Sequence, residues 1–260
     1  MKKNLFFAAS VLSIFFSACY KTQTRDLYDQ VKAKGEIVIA LEGTWEPWNY
    51  HDEQNQLVGY DVDVAKEICR RMEVRPKFVE VEWERAFSCL EKRECDIVIS
   101  GVEVTPERKE RFYFSTPYAY DRTVIIVKKE TDDVKNFEDL LGKTSANALN
   151  STYDELAKKY GAYPIIVDTF DETMSLLLQN RADTTINSIL VFYDYIKENP
   201  NAPLKIAAQS DSICRIAIPC RKSAECLTLL MEINNAIESM KDDGTLKQIS
   251  LKYFEQDVTK

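Results

Sequence analysis

Strand-like runs alternate with helix-like runs along almost the whole chain, and that alternation restricts the fold more than any other feature of the sequence. EIVIAL (36–41), PKFVEV (76–81) and CDIVIS (95–100) are short, apolar and rich in β-branched residues. Amphipathic stretches separate them. In GYDVDVAKEICRRM (59–72), Val62, Ala65, Cys69 and Met72 recur every three or four residues, Val64 and Ile68 widen the stripe, and Lys66, Glu67, Arg70 and Arg71 take the other face. A hairpin-like YHDEQNQLVG precedes that helix, and a further helix is expected from Trp83 to Arg93. A second block repeats the alternation through TVIIVKK, KTSANAL, a helix from Thr152 to Tyr160, PIIVD, ETMSLLLQN, DTTINS, VFYDYIKEN and LKIAA. Such alternation builds a sheet with crossover helices, so the chain is read as α/β. Two blocks followed by a strand at ICRIAIP, a helix from about Ser223 to Lys241 and a short one reaching Tyr253 predict two lobes, with the C-terminal segment returning to the first.

Asp61 and Asp63 fall in the first turn of the helix that starts near Gly59. Acids there complement the positive end of the helix dipole and accept from orphan N–H groups, so both are expected to cap.

The N-terminus is of another kind. Lys2 and Lys3 precede the apolar run LFFAASVLSIFFSA (5–18), which ends at Cys19. A membrane-spanning helix needs about 20 apolar residues, whereas a signal-length run behind a positive region reads as a secretory signal over residues 1–18. Ser17 and Ala18 before the cysteine resemble a lipobox, with Phe16 where Leu is usual, which makes Cys19 the expected lipidation site and residues 19–25 a tether. A net charge of −8 argues against nucleic-acid binding. The single histidine, His51, and the lack of a C-x-x-C motif argue against a metal site, and no cofactor is expected. Cys69, Cys89, Cys95, Cys214, Cys220 and Cys226 remain, an even number that permits three disulfides in an oxidising compartment. Cys69 lies on the core stripe and reads as a buried free thiol; Cys89 with Cys95 and Cys220 with Cys226 are sterically possible pairs, and the sequence leaves the pairing open.

GYDVDVAKEICRRM also follows, position by position, a pattern of glycine, aromatic, acid, aliphatic, acid, aliphatic and then a helix. In this the chain resembles the bacterial extracellular solute-binding proteins of family 3, over essentially the whole mature length. The resemblance implies a two-lobed periplasmic-binding-protein fold of type II, with two crossover strands near Tyr120–Thr123 and Gln209–Ile213 and a ligand cleft between the lobes. Residues 26–120 would form the first part of lobe 1, 121–212 lobe 2 with the crossovers, and 213–260 the return to lobe 1. It further implies the substrate-binding subunit of an ABC importer, not an enzyme. Such a subunit captures a polar amino acid in a closing cleft and delivers it to a permease and ATPase complex. It would work as a monomer, lipid-anchored in the periplasm or on the extracytoplasmic face of the membrane.

Four blocks carry the implied site. In ALEGTWEPWNY, Glu42 matches an acidic position that reads the ligand side chain and Trp45 an aromatic wall. In the block from Trp83 to Tyr118, Trp83 matches the opposite wall, Ser100 and Gly101 offer backbone groups, and Arg108 of TPER matches the guanidinium that grips an α-carboxylate. In NSTYDELAKK, Ser151 and Thr152 open a helix whose N–H groups suit a carboxylate, and they serve equally as an N-cap. In NRADTTINS, Ser188 stands where most relatives carry the Asp that binds the α-ammonium, while Glu103 stands where they carry Thr or Ser. The expectation is that the carboxylate has moved from the second lobe to the first.

Glu42 and Glu103 outweigh Arg108 by one negative charge, which asks for a ligand with an additional cation and repels acidic amino acids. Cystine, arginine, lysine and histidine qualify. EGTWEPWNYHDE, KTSAN and the terminal DVTK resemble the cystine-binding branch, and SGVEVTPER resembles arginine binders; cystine is favoured. The same fold also hosts exported dehydratases of aromatic amino-acid synthesis, which is the alternative. If Cys19 carries the anchor, Cys19→Ala will shift the protein from the membrane fraction to the soluble extracytoplasmic fraction, and unchanged membrane association would rule the anchor out.

Overall fold

The computed structural model describes residues 26–260, so the signal, the tether and Cys19 lie outside the described residues. In chain order the elements are α1 (Leu27–Lys34), β1 (Glu36–Leu41), β2 (Tyr50–His51), β3 (Leu57–Val58), α2 (Tyr60–Arg71), β4 (Arg75–Glu80), α3 (Trp83–Glu91), β5 (Ile97–Val98), α4 (Pro106–Arg111) and β6 (Phe112–Phe114). Then follow β7 (Ala119–Lys128), β8 (Thr144–Asn147), α5 (Thr152–Lys159), β9 (Tyr163–Ile166), α6 (Phe170–Leu178), β10 (Thr185–Ser188), α7 (Ile189–Glu198), β11 (Leu204–Ile216), β12 (Pro219–Arg221), α8 (Leu227–Asp242) and α9 (Thr245–Phe254).

Two sheets organise these elements. The first has the order β4-β1-β5-β12-β6, with β1 parallel to β4 and β5, and β12 antiparallel to β5 and β6. The second places β7 between β10 and β11, both antiparallel to it, while β8 pairs in parallel with β9 and is tied to the β10 edge by a bridge between Ser145 and Thr184. Each sheet has an apolar core on both faces, which explains the continuous hydrophobic runs of β1 and β7. On one face of the first sheet Ile37, Ile39 and Ile97 pack with α2 and α8; on the other Ala40 and Val98 meet Ala86, Cys89 and Leu90 of α3. Val124 and Ile126 pack on one face of the second sheet, Ile125 and Val127 on the other.

The long strands β7 and β11 pass from one core to the other. Ala119, Cys214 and Ile216 belong to the first core, while Val124, Ile126 and Leu204 belong to the second. Their pairing is continuous except for register shifts, one of which lies between Gln209 and Ile213. The ladder therefore loosens on the strand that joins the lobes.

Capping does not account for Asp61. The N-cap of α2 is Gly59, at φ 125°, a conformation suited to glycine, and a Cβ there would meet the Trp48 carbonyl oxygen at 2.3 Å. The Asp61 carboxylate turns inward instead, fully buried, and accepts hydrogen bonds from the Tyr118 hydroxyl (2.6 Å), the Asn49 amide (2.9 Å) and the Gly101 backbone N–H (2.9 Å). Asp63 is bound by Lys252 Nζ (2.6 Å) and the Tyr253 hydroxyl (2.8 Å), and so ties α2 to α9. Both acids make contacts with distant segments rather than capping bonds.

Burial pushes the Asp61 carboxyl up to about 7 against the three hydrogen bonds that favour its charge. The folded chain holds this proton up to about pH 7, whereas the unfolded chain releases it near 3.8, so the folded state binds more protons in between. The site's contribution is full below the lower value and is lost as pH rises through the upper one. Asp61→Asn, which sets a donor against donors, should cost about 2–4 kcal/mol. The loss measured by denaturant titration should be larger at about pH 5 than at about pH 8. Equal losses at the two values would show that Asp61 is ionised throughout.

Candidate ligand cleft

A cavity opens between the two sheets' loop ends. From the first lobe it is lined by Glu42, Trp45, Trp83, Gly101 and Arg108, and from the second by Ser151 and Thr152. Ligand pockets of open α/β sheets form in this position, beyond the carboxyl ends of the strands.

The Asp61 carboxylate reaches this wall through a chain of side chains. Asn49, held by Asp61, accepts from Gly43 N–H (2.8 Å) and donates to Ser100 Oγ (3.3 Å), which donates to Glu42 Oε2 (3.2 Å). Ser100 is fully buried beneath the wall and is not among its lining residues. Gly101 is held at φ 52° by the Asp61 bond, and a Cβ there would lie 2.4 Å from the Trp45 ring. Only glycine lets the indole lie flat on this turn. Trp45 stacks at 5.7 Å on Trp48, which is fully buried core, so one tryptophan of the pair faces the cavity and the other anchors it. Burial raises the Glu42 carboxyl to about 7, partly offset by the Ser100 hydroxyl.

Within Pro106–Arg111 every side chain is exposed except Arg108. Thr105 caps the helix by accepting from the Arg108 N–H (3.2 Å), and Arg108 Nη1 donates to the Glu103 carbonyl (3.0 Å). The guanidinium lies over the rings of Trp83 (5.2 Å) and Phe87 (5.0 Å). It has no carboxylate partner within 4 Å among the described residues, and burial lowers its pKa from the ordinary value. A half-buried, aromatically stacked guanidinium without such a partner keeps its bidentate donor face open to an anion.

Across the cavity, Ser151 is the N-cap of α5 and accepts from Asp154 N–H (3.1 Å), which leaves Thr152 at the open end of the helix. Thr44, Asn147, Tyr153, Asp168, Phe170 and Asn187 also line the cavity and were not singled out from the sequence. Asn147 is held by bonds to Ser145 and the Ile186 carbonyl, so its position depends on contacts between β8 and β10 that no local pattern announces.

Glu103 and Ser188 do not line the cavity and lie at its hinge side. The Glu103 backbone bridges to Ile216 of β11, and its charge adds to the burial that raises the nearby Cys214 thiol. Ser188 is fully buried; its hydroxyl caps α7 by accepting from Leu190 (3.1 Å) and Val191 (3.2 Å). Beside it lies Asp121 of β7, a buried acid opposite Cys214 in the strand pairing. Its carboxylate accepts from the Arg122 N–H (2.7 Å), and the nearby Ser188 hydroxyl favours its charged form. Burial raises it to about 7 against those bonds, and the charge of Glu103 adds to the rise. Position 188 thus has a carboxylate next to it, supplied by a strand far away in sequence.

Comparison with known proteins agrees with this geometry. A "Probable amino-acid ABC transporter-binding protein" of Haemophilus influenzae is 31% identical over 257 residues, covering 99% of each chain. The "L-cystine-binding protein TcyA" of Bacillus subtilis is 35% identical over 236 residues, covering 90% of this chain and 87% of its own. The solved structure of an ancestral arginine-binding protein bound to arginine superposes with a TM-score of 0.79 at 35% identity, over 85% of this chain and 98% of that one. The family model of the bacterial extracellular solute-binding proteins, family 3, matches residues 37–256, and the chain belongs to that family.

Proposed function

We propose that the protein captures a polar amino acid in this cleft and hands it to the permease and ATPase of an ABC importer at the extracytoplasmic face of the membrane. The observation that carries this reading is Arg108. It is the one side chain of its helix drawn inward, it stacks on Trp83 and Phe87, and it faces the N-terminal end of α5 across the cavity. A carboxylate between them would gain a bidentate guanidinium pair and the N–H groups of the helix.

The remaining charges bear on the rest of the ligand. Glu103 lies near Arg108 and Asp121 near Glu103, both behind the cavity lining on the hinge side, where an α-ammonium would sit beside its carboxylate once the cleft closes. Glu42 and Asp168 line the wall of the cavity, with Trp45 and Trp83 as apolar surfaces for a side-chain stem. An amino acid with a further positive charge suits this arrangement. Cystine is the ligand favoured by the sequence blocks and by the likeness to the Bacillus subtilis protein. Arginine is the second reading, supported by Glu42 and by the likeness to the arginine-bound ancestral protein. The exported-dehydratase alternative is less supported, since the relatives named above are transport binding proteins. Calorimetry of the ligand-free protein against cystine, arginine, lysine and histidine, with prephenate and arogenate as controls, tests the assignment directly.

Arg108→Ala should lose about 2–5 kcal/mol of binding, roughly thirtyfold to a few thousandfold in affinity. A loss under about threefold would remove Arg108 from the site.

The hinge-side acids make a pH test. A cation seated there favours the ionised carboxylate, so Asp121, which burial holds protonated up to about 7, must release its proton when the ligand enters. Affinity should therefore rise between about pH 6 and about pH 8. Asp121→Asn and Glu103→Gln should each weaken binding by about tenfold or more, and Asp121→Asn should also flatten the pH slope. A slope that survives Asp121→Asn would assign the proton to another group, Glu42 first.

A further inference from the structure

Four buried cysteines that the cleft does not use form two pairs in the first lobe. Cys89, in the last turn of α3, and Cys95, just before β5, are 2% and 1% exposed. The chain folds back on itself between them. The N–H groups of Glu94 and Cys95 both donate to the Cys89 carbonyl, at 2.9 and 3.4 Å, with Arg93 at φ 62° making the turn. Both side chains are buried in the same core cluster, with Ala86, Leu90 and Val98.

The second pair is built differently. Cys220 lies in β12 and Cys226 ends the short 3-10 turn Ala224–Cys226 that leads into α8; both are fully buried. Ser223 N–H donates to the Arg221 carbonyl (2.8 Å) and Cys226 N–H to the Ser223 carbonyl (3.1 Å), and this tight turn returns Cys226 to the core cluster that holds Cys220. Arg221 connects the two pairs, since its Nη1 donates to the carbonyls of Cys95 (2.8 Å) and Leu90 (3.3 Å). Cys69 and Cys214 stand apart, the first among the apolar side chains of α2 and the second against Thr123 and Glu103.

We propose that Cys89–Cys95 and Cys220–Cys226 become two disulfides after export. Cysteines buried in one cluster on either side of a tight turn need little movement to reach bonding geometry, and a compartment outside the cytoplasm supplies the oxidising potential. All four sulfurs are closed to solvent in the folded lobe, so the bonds form as the chain folds. In each, one thiolate attacks the disulfide of an extracytoplasmic thiol–disulfide oxidant and breaks its S–S bond. The second thiolate then attacks the resulting mixed disulfide. The protein's S–S bond forms, and the oxidant leaves as a dithiol that has taken two electrons and the two protons. The first bond pins the end of α3 to the strand that leads to Ser100 and Gly101. The second pins the start of α8, whose Leu229, Ile233, Ile237 and Met240 fill the first core. Oxidation makes lobe 1 the rigid half of the cleft.

The test requires no ligand and is independent of the amino-acid assignment. Protein secreted with its own N-terminal segment, and reduced protein refolded in a glutathione disulfide buffer, are denatured without reductant, alkylated with iodoacetamide and digested for mass spectrometry. The expected result in both is label on Cys69 and Cys214, with Cys89 linked to Cys95 and Cys220 to Cys226. Reduction should expose all four to label and lower the melting temperature by roughly 5–15 °C. In Cys226→Ser, Cys220 should take label while Cys89–Cys95 stays linked. Label on any of the four in the unreduced wild-type protein, or links joining other partners, would overturn the proposal.

Discussion

The buried carboxylate of Asp61 is the interaction on which the cleft's first wall depends. It is one acceptor shared by three donors from three segments: the Asn49 loop, the Gly101 turn and Tyr118 at the entry to the first crossover strand. Each donor also sets something further. Asn49 positions Ser100 and through it Glu42; Gly101 supports the Trp45 ring; Tyr118 stacks at 5.8 Å on Tyr60, whose hydroxyl donates to the Tyr118 carbonyl (2.7 Å). Removing the carboxylate would leave several buried donors unpaired at once, which costs more than the mean worth of any one hydrogen bond. Such a fully satisfied network holds wall residues at fixed positions without help from a ligand.

The opposite wall is set by different means. Ser151 caps α5, Asn147 is held between β8 and β10, and nothing comparable to the Asp61 network ties them to the first lobe. The covalent links between the halves are the two long strands, paired closely on either side of an irregularity at Gln209–Ile213. Two internally rigid walls joined by a locally loosened ladder are what hinge closure needs. A ligand touching both walls supplies the differential contact that favours the closed state.

Much of the fold was legible in the sequence because it rests on local periodicity. The helix expected from Trp83 to Arg93 runs over Trp83–Glu91, and the strand read at 36–41 is found there unchanged. CDIVIS shrinks to Ile97–Val98, with the Cys95 carbonyl accepting from Arg221 and the Asp96 carboxylate from the Val38 N–H at one end and Ser100 bonded to Glu42 at the other. The helix expected from Ser223 starts at Leu227, after a 3-10 turn that returns Cys226 to the core cluster holding Cys220. What local reasoning missed was non-local. Asp61 looked like a cap because its partners lie 12, 40 and 57 residues away. Ser188 looked like a lost carboxylate because Asp121, which stands against it, belongs to another strand. Trp45, Trp83 and Arg108 could be singled out because motif and chemistry coincide at those positions, whereas Asn147, Tyr153 and Phe170 sit in stretches that read as ordinary strand and helix starts.

The acid excess around the cavity has a physical consequence for the empty protein. Glu42 and Asp121 are both held up to about 7 by burial, so near neutral pH part of their charge is suppressed by protons rather than by protein cations. Arg108, shifted the other way by burial, is left without an anion of its own within ion-pairing distance. Each group lacks the partner that would best stabilise its charged form, and a ligand that brings a carboxylate to Arg108 and cationic groups to the acids would supply them together. Closing the cleft removes water and strengthens each of these pairs. The same closure around a ligand of the wrong charge would bury two carboxylates against an anion, which costs several kcal/mol. Discrimination against acidic amino acids would then follow from the electrostatic cost of closing on them, before any contact to the ligand's side chain is counted.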